Sequence, residues 1–266
     1  MKIGSREFET KNNTYIVGIL NVTPDSFSDG GRWNSIDAAL RHTEKMIADG
    51  ADIIDIGGES TRPGYTMISD EEETDRIIPV IKAIKRSFDI PISIDTYKSV
   101  VAREGLEAGA DMINDIWGLR YDSRMSDIIS EYDVPCCLMH NKKKPEYNSF
   151  FDDLISETNE SLSIAAEAGI SLDKIIIDPG IGFGKTFEMN ITVMKRLDEF
   201  CKLGYPVLIG CSRKSVIGEV LELSPDERLE GTIVTTVKAV LSGCSFVRVH
   251  DVKENYRAVK MTKSIF

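Results

Sequence analysis

A short apolar, β-branched run followed by a helical stretch recurs along the whole chain, and no other feature restricts the fold as strongly. The runs are Tyr15–Leu20, Ile53–Ile56, Ile92–Ile94, Met112–Ile113, Pro135–Met139, Lys174–Ile177, Pro206–Ile209 and Phe246–Val249. The stretches between them have recognisable helix ends. Ser69 followed by Glu72 fits a capping box, and the acids Asp70 to Glu73 suit a positive helix N-terminus. Gly50, Gly109 and Gly169 each stand between a helical run and a strand, where a left-handed C-cap glycine is expected. Eight such units in 266 residues predict a closed parallel (β/α)8 TIM barrel as one domain over 1–266, with an open doubly wound sheet as the alternative. Asn12-Asn13, before the first run, predicts a short N-terminal hairpin appended to the barrel.

Each run ends in polar residues: Asn21, Asp55, Asp95, Asn114, His140, Asp178, Ser212 with Arg213, and Arg248 with His250. In a barrel all strand C-termini open on one face, so these groups are expected to converge on one pocket. Loop chemistry alone accounts for any one of them. Burying several ionisable groups together costs several kcal/mol unless a ligand pairs them. Taken singly, His140 reads as a structural histidine, and Asp55 as a residue that bonds its own loop. Arg213 reads equally well as an ion-pairing residue. The segments Asn21–Gly31 and Gly57–Gly64 are long and rich in Gly, Pro, Ser and Thr, the composition of lids over a barrel mouth.

Bulk composition excludes several classes. The net charge of -11 argues against a nucleic-acid partner. No run of about 18 apolar residues offers a membrane span, and the first residues lack a signal-peptide core, so a cytoplasmic location is expected. Cys136, Cys137, Cys201, Cys211 and Cys244 form no CxxC pair and read as reduced, mostly buried thiols. DPGIGFGKT (178–186) is not a phosphate-binding P-loop, because Pro179 stands where the first glycine belongs. Its glycines are expected to let the backbone pass close to a flat ligand.

The segments GILNVTPDSFSDGG (18–31), DIGGESTRPG (55–64), SIDTYKSVVA (93–102), GADMINDIWGL (109–119), DPGIGFGKT (178–186), GCSRKSVIG (210–218) and RVHDV (248–252) occur in that order. With them the chain closely resembles the dihydropteroate synthases, within the wider group of pterin-binding barrels. The resemblance implies condensation of 7,8-dihydropterin-6-ylmethyl diphosphate with p-aminobenzoate, with diphosphate leaving. It implies Asn21 as a Mg2+ ligand sharing the ion with diphosphate oxygens. Asp95, Asn114, Asp178 and Lys214 are implied as pterin contacts. Thr61, Arg62, Pro63, Phe183 and Ser212 are implied as contacts to aminobenzoate or leaving group. Arg248 and His250, with Asn21, form the implied diphosphate cradle. Asn21, Asp95, Lys214, Arg248 and His250 make up the implied catalytic set, and a homodimer is implied as well.

The residue types suit that chemistry. A pterin edge presents two parallel N–H donors, which a carboxylate matches with two acceptors at about 1.5–3 kcal/mol per charge-assisted bond. Asn114 offers both a donor and an acceptor. Mg2+ accepts one amide oxygen together with phosphate oxygens and water. Departures from the family pattern lie in loops: Leu138–Phe150 is short and Lys-rich, and Tyr65 follows the STRPG segment. Two competing readings are a pterin-dependent methyltransferase and a pterin-binding barrel without turnover. The first has no use for Arg248 and His250 as an anion pair; the second does not require Asn21, Thr61 and Lys214. The helical patterns Thr232–Leu241 and Val259–Phe266 have apolar positions that suit either a dimer contact or a barrel-facing side.

Overall fold

The protein is described here by a computed structural model covering residues 1–23, 31–60 and 66–266, with side chains from residue 36 onward in the second stretch. Two short antiparallel strands, β1 (Lys2–Ile3) and β2 (Arg6–Glu7), form the predicted hairpin. The barrel strands follow: β3 (Tyr15–Asn21), β4 (Ile53–Gly57), β5 (Ile92–Asp95), β6 (Met112–Asp115), β7 (Cys136–Met139), β8 (Ile175–Asp178), β9 (Leu208–Ile209) and β10 (Phe246–Val249). All neighbouring pairs are parallel, in the order β8-β7-β6-β5-β4-β3-β10-β9. The seam is drawn shut by a parallel bridge between Ile177 and Val207, where Ile177 N donates to Pro206 O at 3.0 Å. The fold is the predicted (β/α)8 TIM barrel.

The helices are α1 (Gly31–Asp49), α2 (Asp70–Ser87), α3 (Ser99–Glu107), α4 (Met125–Tyr132), α5 (Phe150–Glu167), α6 (Phe187–Lys195), α7 (Leu197–Cys201), α8 (Ser215–Leu221), α9 (Leu229–Ser242) and α10 (Val252–Ile265). Their ends follow the expected chemistry. Ser69 Oγ accepts from Glu72 N at 3.1 Å to start α2, one half of the expected capping box, while Glu72 Oε1 accepts from Arg76 instead; Gly50, Gly109 and Gly169 take φ of 106°, 107° and 79°. Among the described residues no helix is long and apolar enough to cross a membrane.

Side chains alternate across a strand, so each barrel strand sends every second residue inward. One set, including Ile54, Ile94, Ile113, Leu138 and Ile177, faces the helices in the main core. The other set, Val17, Ile53, Met112, Cys137, Ile176, Leu208 and Phe246, fills the interior near the strand N-termini. Ile3 and Phe8 of the hairpin segment pack into that same layer at 0% and 4% exposure, so the hairpin closes the base of the barrel. Moving two residues on from this apolar floor along β4, β6, β8 and β10 reaches Asp55, Asn114, Asp178 and Arg248. The floor therefore fixes which polar residues point into the barrel.

Candidate active site

Asp55, Asp95, Asn114 and Asp178 are all buried on the inward faces of their strands, as a period of two requires. Arg248 binds them together. Its Nε donates to Asp55 Oδ2 and its Nη2 to Asp95 Oδ2, each at 2.6 Å, while Asn114 Nδ2 donates to Asp55 Oδ2 at 3.3 Å. Asp55 Oδ1 and Asp95 Oδ1 remain buried with no hydrogen-bond partner among the described residues. Buried oxygens in that condition are costly unless a donor meets them. Asp55 is thus a fixed member of the polar cluster rather than a residue bonding its own loop.

Charge and burial compete at every member. Burial raises the Asp95 carboxyl to about 7, with Arg248 pulling it back down. Asp178 is likewise raised by burial and pulled down by Lys214. Burial also lowers Lys214, to about 8, against the attraction of Asp178. Burial opposes the charge on Arg248, but Asp55 and Asp95 outweigh it and keep the group cationic. Lys214 donates to Ile181 O at 2.5 Å, and its Nζ lies 4.6 Å from the Phe183 ring centre. A Cβ built at Gly210 would stand 3.9 Å from both Lys214 Nζ and Arg248 Cδ, so the two cations flank that glycine.

On the side of β3, a Cβ built at Gly57 would stand 3.8 Å from Asn21 Oδ1 and 3.7 Å from Asp95 Oδ2. Asn21 therefore brings an amide oxygen, a hard donor, to the cluster. Across the mouth Ser212 Oγ and His250 Nδ1 are 3.0 Å apart, and His250 N donates to Ser212 Oγ at 3.2 Å. Phe183 packs with Tyr97, Ile116, Trp117 and Met139 in an apolar group of its own. Thr61, Arg62 and Pro63 lie outside the described residues.

Two of the polar strand ends do not join the cluster. His140 follows the inward-facing Met139 and so turns the other way, where its ring nitrogens meet Glu157 and Lys185. Arg213, at φ 59°, turns to Asp251 and Asp226. Two glycines of 178–186 make close approaches to protein backbone. A Cβ at Gly180 would overlap the carbonyl oxygen of His140, and one at Gly184 that of Lys142. At both positions the close approach is to neighbouring backbone.

The structure adds residues that sequence reasoning passed over. Glu59 Oε1 accepts from the Tyr97 hydroxyl at 2.5 Å, and its Oε2 accepts from Lys98 Nζ and from Ile68 N, each at 2.9 Å. Lys98 Nζ also donates to Glu73 Oε2 at 2.7 Å. This network pins both stems of the loop after β4. Glu59 and Lys98 stood inside recognised segments, but only their burial marks them as structural.

A barrel with carboxylates, an amide and two cations gathered at one mouth defines a class of enzyme that takes a flat polar heterocycle together with an anion. Residues 17–250 match the family described as pterin binding enzyme, and the chain belongs to that family. The relatives point to one member of it. Dihydropteroate synthase of Clostridium beijerinckii is 56% identical over 266 residues, covering 100% of this chain and 99% of the relative. The Bacillus subtilis dihydropteroate synthase is 53% identical over 94% of this chain and 88% of its own length. A solved Clostridium difficile dihydropteroate synthase, crystallised in the presence of pteroic acid, superposes with TM-score 0.95 at 52% identity, over 98% of this chain and 99% of that one. The Xanthomonas albilineans dihydropteroate synthase with 4-aminobenzoic acid superposes with TM-score 0.92 at 39% identity, over 96% and 93%.

Proposed function

We propose that this chain, acting as one barrel unit over 1–266, joins 7,8-dihydropterin-6-ylmethyl diphosphate to p-aminobenzoate, forming 7,8-dihydropteroate in folate biosynthesis and releasing diphosphate. The observation that carries this reading is the meeting of Asp55, Asp95, Asn114 and Asp178 with Lys214 and Arg248 around one opening. Asp95 and Asp178 offer paired acceptors to the pterin N–H edge, Asn114 bonds a neighbouring ring position, and Lys214 donates to a ring carbonyl or nitrogen. The unpartnered Asp95 Oδ1 supports this assignment, because it lacks the donor that a pterin would bring.

Diphosphate leaves with the electrons of the C–O bond, and the aminobenzoate nitrogen bonds to the pterin methylene carbon and releases one proton to solvent. Arg248 and His250 stabilise the departing anion. With Ser212 Oγ–H donating to Nδ1, the other ring nitrogen of His250 carries its proton toward the anion. Phe183 and Ser212, with Thr61, Arg62 and Pro63 from the loop after β4, hold the aminobenzoate. No nucleophilic side chain is required; catalysis is positional and electrostatic.

Mg2+ fits the donor set at one point. Asn21 supplies a hard oxygen, and among the described residues no group of three or more His, Cys, Asp and Glu could hold a metal. The remaining ligands therefore come from diphosphate oxygens and water. When bound, the ion supplies Lewis-acid stabilisation of the leaving group. A cytoplasmic homodimer completes the proposal, supported by exposed Val220, Val234, Leu241, Met261 and Ile265 on α8, α9 and α10.

The deciding experiment incubates purified protein with the pterin diphosphate, Mg2+ and p-aminobenzoate, and measures dihydropteroate and diphosphate together. Equal amounts of both are expected. Diphosphate release without dihydropteroate, or no turnover, rejects the reading.

A further inference from the structure

One partly buried lysine outside the polar cluster organises the loop against which the cluster leans. Lys185 Nζ donates to the carbonyl oxygens of Gly180 and Phe183, each at 3.0 Å, and lies 2.9 Å from His140 Nδ1. These three close acceptors, with His140 O a more distant fourth at 3.4 Å, occupy the three N–H donors of the ammonium group. Burial pulls the pKa of Lys185 down, to about 7, while Asp178 pulls it upward. With Lys185 donating, His140 Nδ1 accepts and its proton sits on Nε2, 3.0 Å from Glu157 Oε2. The imidazole is held neutral: burial pushes it down to about 2, and Lys185 adds to the effect. Glu157 is fixed in turn by Lys142 at 2.5 Å and Arg120 at 3.4 Å.

The chain of contacts continues toward the site. Between Gly180 and Phe183 lies Ile181, whose carbonyl oxygen accepts from Lys214, and the Phe183 ring stands beside the same ammonium. Gly180 and Gly184 press their backbones on the segment after β7, and the Tyr147 hydroxyl donates to Gly184 O at 2.8 Å. The loop after β8 is therefore clasped on its outer side, with the Lys185 ammonium inside the clasp.

We propose that Lys185 is a positioning residue for this reaction: oriented by His140 and Glu157, it fixes the 180–183 backbone so that Ile181 O and Phe183 present Lys214 to the substrate. This rests on the reading above, in which Lys214 and Phe183 touch substrate. Lys185 acts through the loop, and its described contacts are to loop backbone and His140.

The test is a double-mutant cycle on pterin diphosphate affinity, measured by calorimetry on the full-length protein, with melting curves in parallel. Lys185→Met is expected to weaken binding about tenfold, and the loss should shrink to about twofold or less in a Lys214→Met background, as coupled sites require. A purely structural role lowers the melting temperature and gives the same binding loss in both backgrounds. That result, or wild-type affinity in Lys185→Met, overturns the proposal. Glu157→Gln, at the outer end of the chain of contacts, is the second variant and settles the matter should Lys185→Met not fold. It leaves the lysine in place but disturbs the His140 tautomer, so a loss of about threefold is expected, again dependent on Lys214. Unchanged affinity in Glu157→Gln overturns the proposal. Wild-type protein that does not bind the pterin rejects the functional reading instead.

Discussion

Burial lifts Asp95 above the ordinary carboxylate range, and folding and binding respond to that in opposite ways. The folded protein keeps a proton on Asp95 up to about pH 7, where an unfolded chain has already lost it. The contribution of Asp95 to stability therefore declines as pH rises from about 4 to 7. On the proposed role of Asp95, pterin binding needs the ionised acceptor pair, so affinity should fall about tenfold per pH unit below about 7. Asp95→Asn is expected to abolish that slope and weaken binding, while raising the melting temperature at pH 8. Calorimetric titrations at several pH values, with melts at pH 8, check both halves; an unchanged slope in the variant contradicts the assignment. Arg248 holds two buried carboxylates, and removing that shared cation leaves both uncompensated, at a cost of about 3–5 kcal/mol. Arg248→Ala should therefore lower the melting temperature by roughly 10 °C and impair both pterin and diphosphate binding. The sequence suggested an anion cradle beside the pterin residues, but the guanidinium is bonded directly to Asp55 and Asp95. Residue types and strand ends were legible there. Which carboxylate meets which cation depends on distances across the barrel, which a linear pattern does not carry.

Among the elements, α2, α3 and the stems of the loop after β4 are joined by one ammonium. Lys98, just before α3, meets Glu59 in the loop stem and Glu73 in α2, and all three side chains are at most 7% exposed. Lys98→Met leaves two carboxylates facing each other without a cation, again at about 3–5 kcal/mol. A fall in melting temperature of roughly 10 °C is expected, and a differential scanning measurement within about 2 °C of wild type would refute the account. The elements themselves were readable because apolar runs and C-cap glycines are local signals, and the strand boundaries moved by only a residue or two. His140 and Arg213, counted among the converging strand ends, turn away from the cluster as a structural histidine and an ion-pairing arginine. Polarity at a strand end is visible in sequence, but inward or outward facing depends on the register against the apolar floor. Counting two residues from Met112 reaches Asn114; from Cys137 it reaches Met139 and passes His140 by.

For the molecule as a whole, the mouth and the outer helices have different work. Val234 and Leu241 on α9 are 68% and 51% exposed, and Met261 and Ile265 on the adjacent α10 are 61% and 59% exposed. Light scattering should give a dimer for the wild-type chain and a monomer for a Val234→Glu/Leu241→Glu variant; a wild-type monomer removes that element of the proposal. The barrel was evident from the repeated alternation, whereas the role of the first eight residues was not. They read as an appendage because nothing local reveals that Ile3 and Phe8 fit between the strand ends. Sealed there, the barrel opens, among the described residues, toward the C-terminal ends of its strands. On the proposed function, a heterocycle seated against the buried carboxylates lies beneath the arylamine and has to arrive before it. Depth then sets the order of arrival before any difference in affinity does.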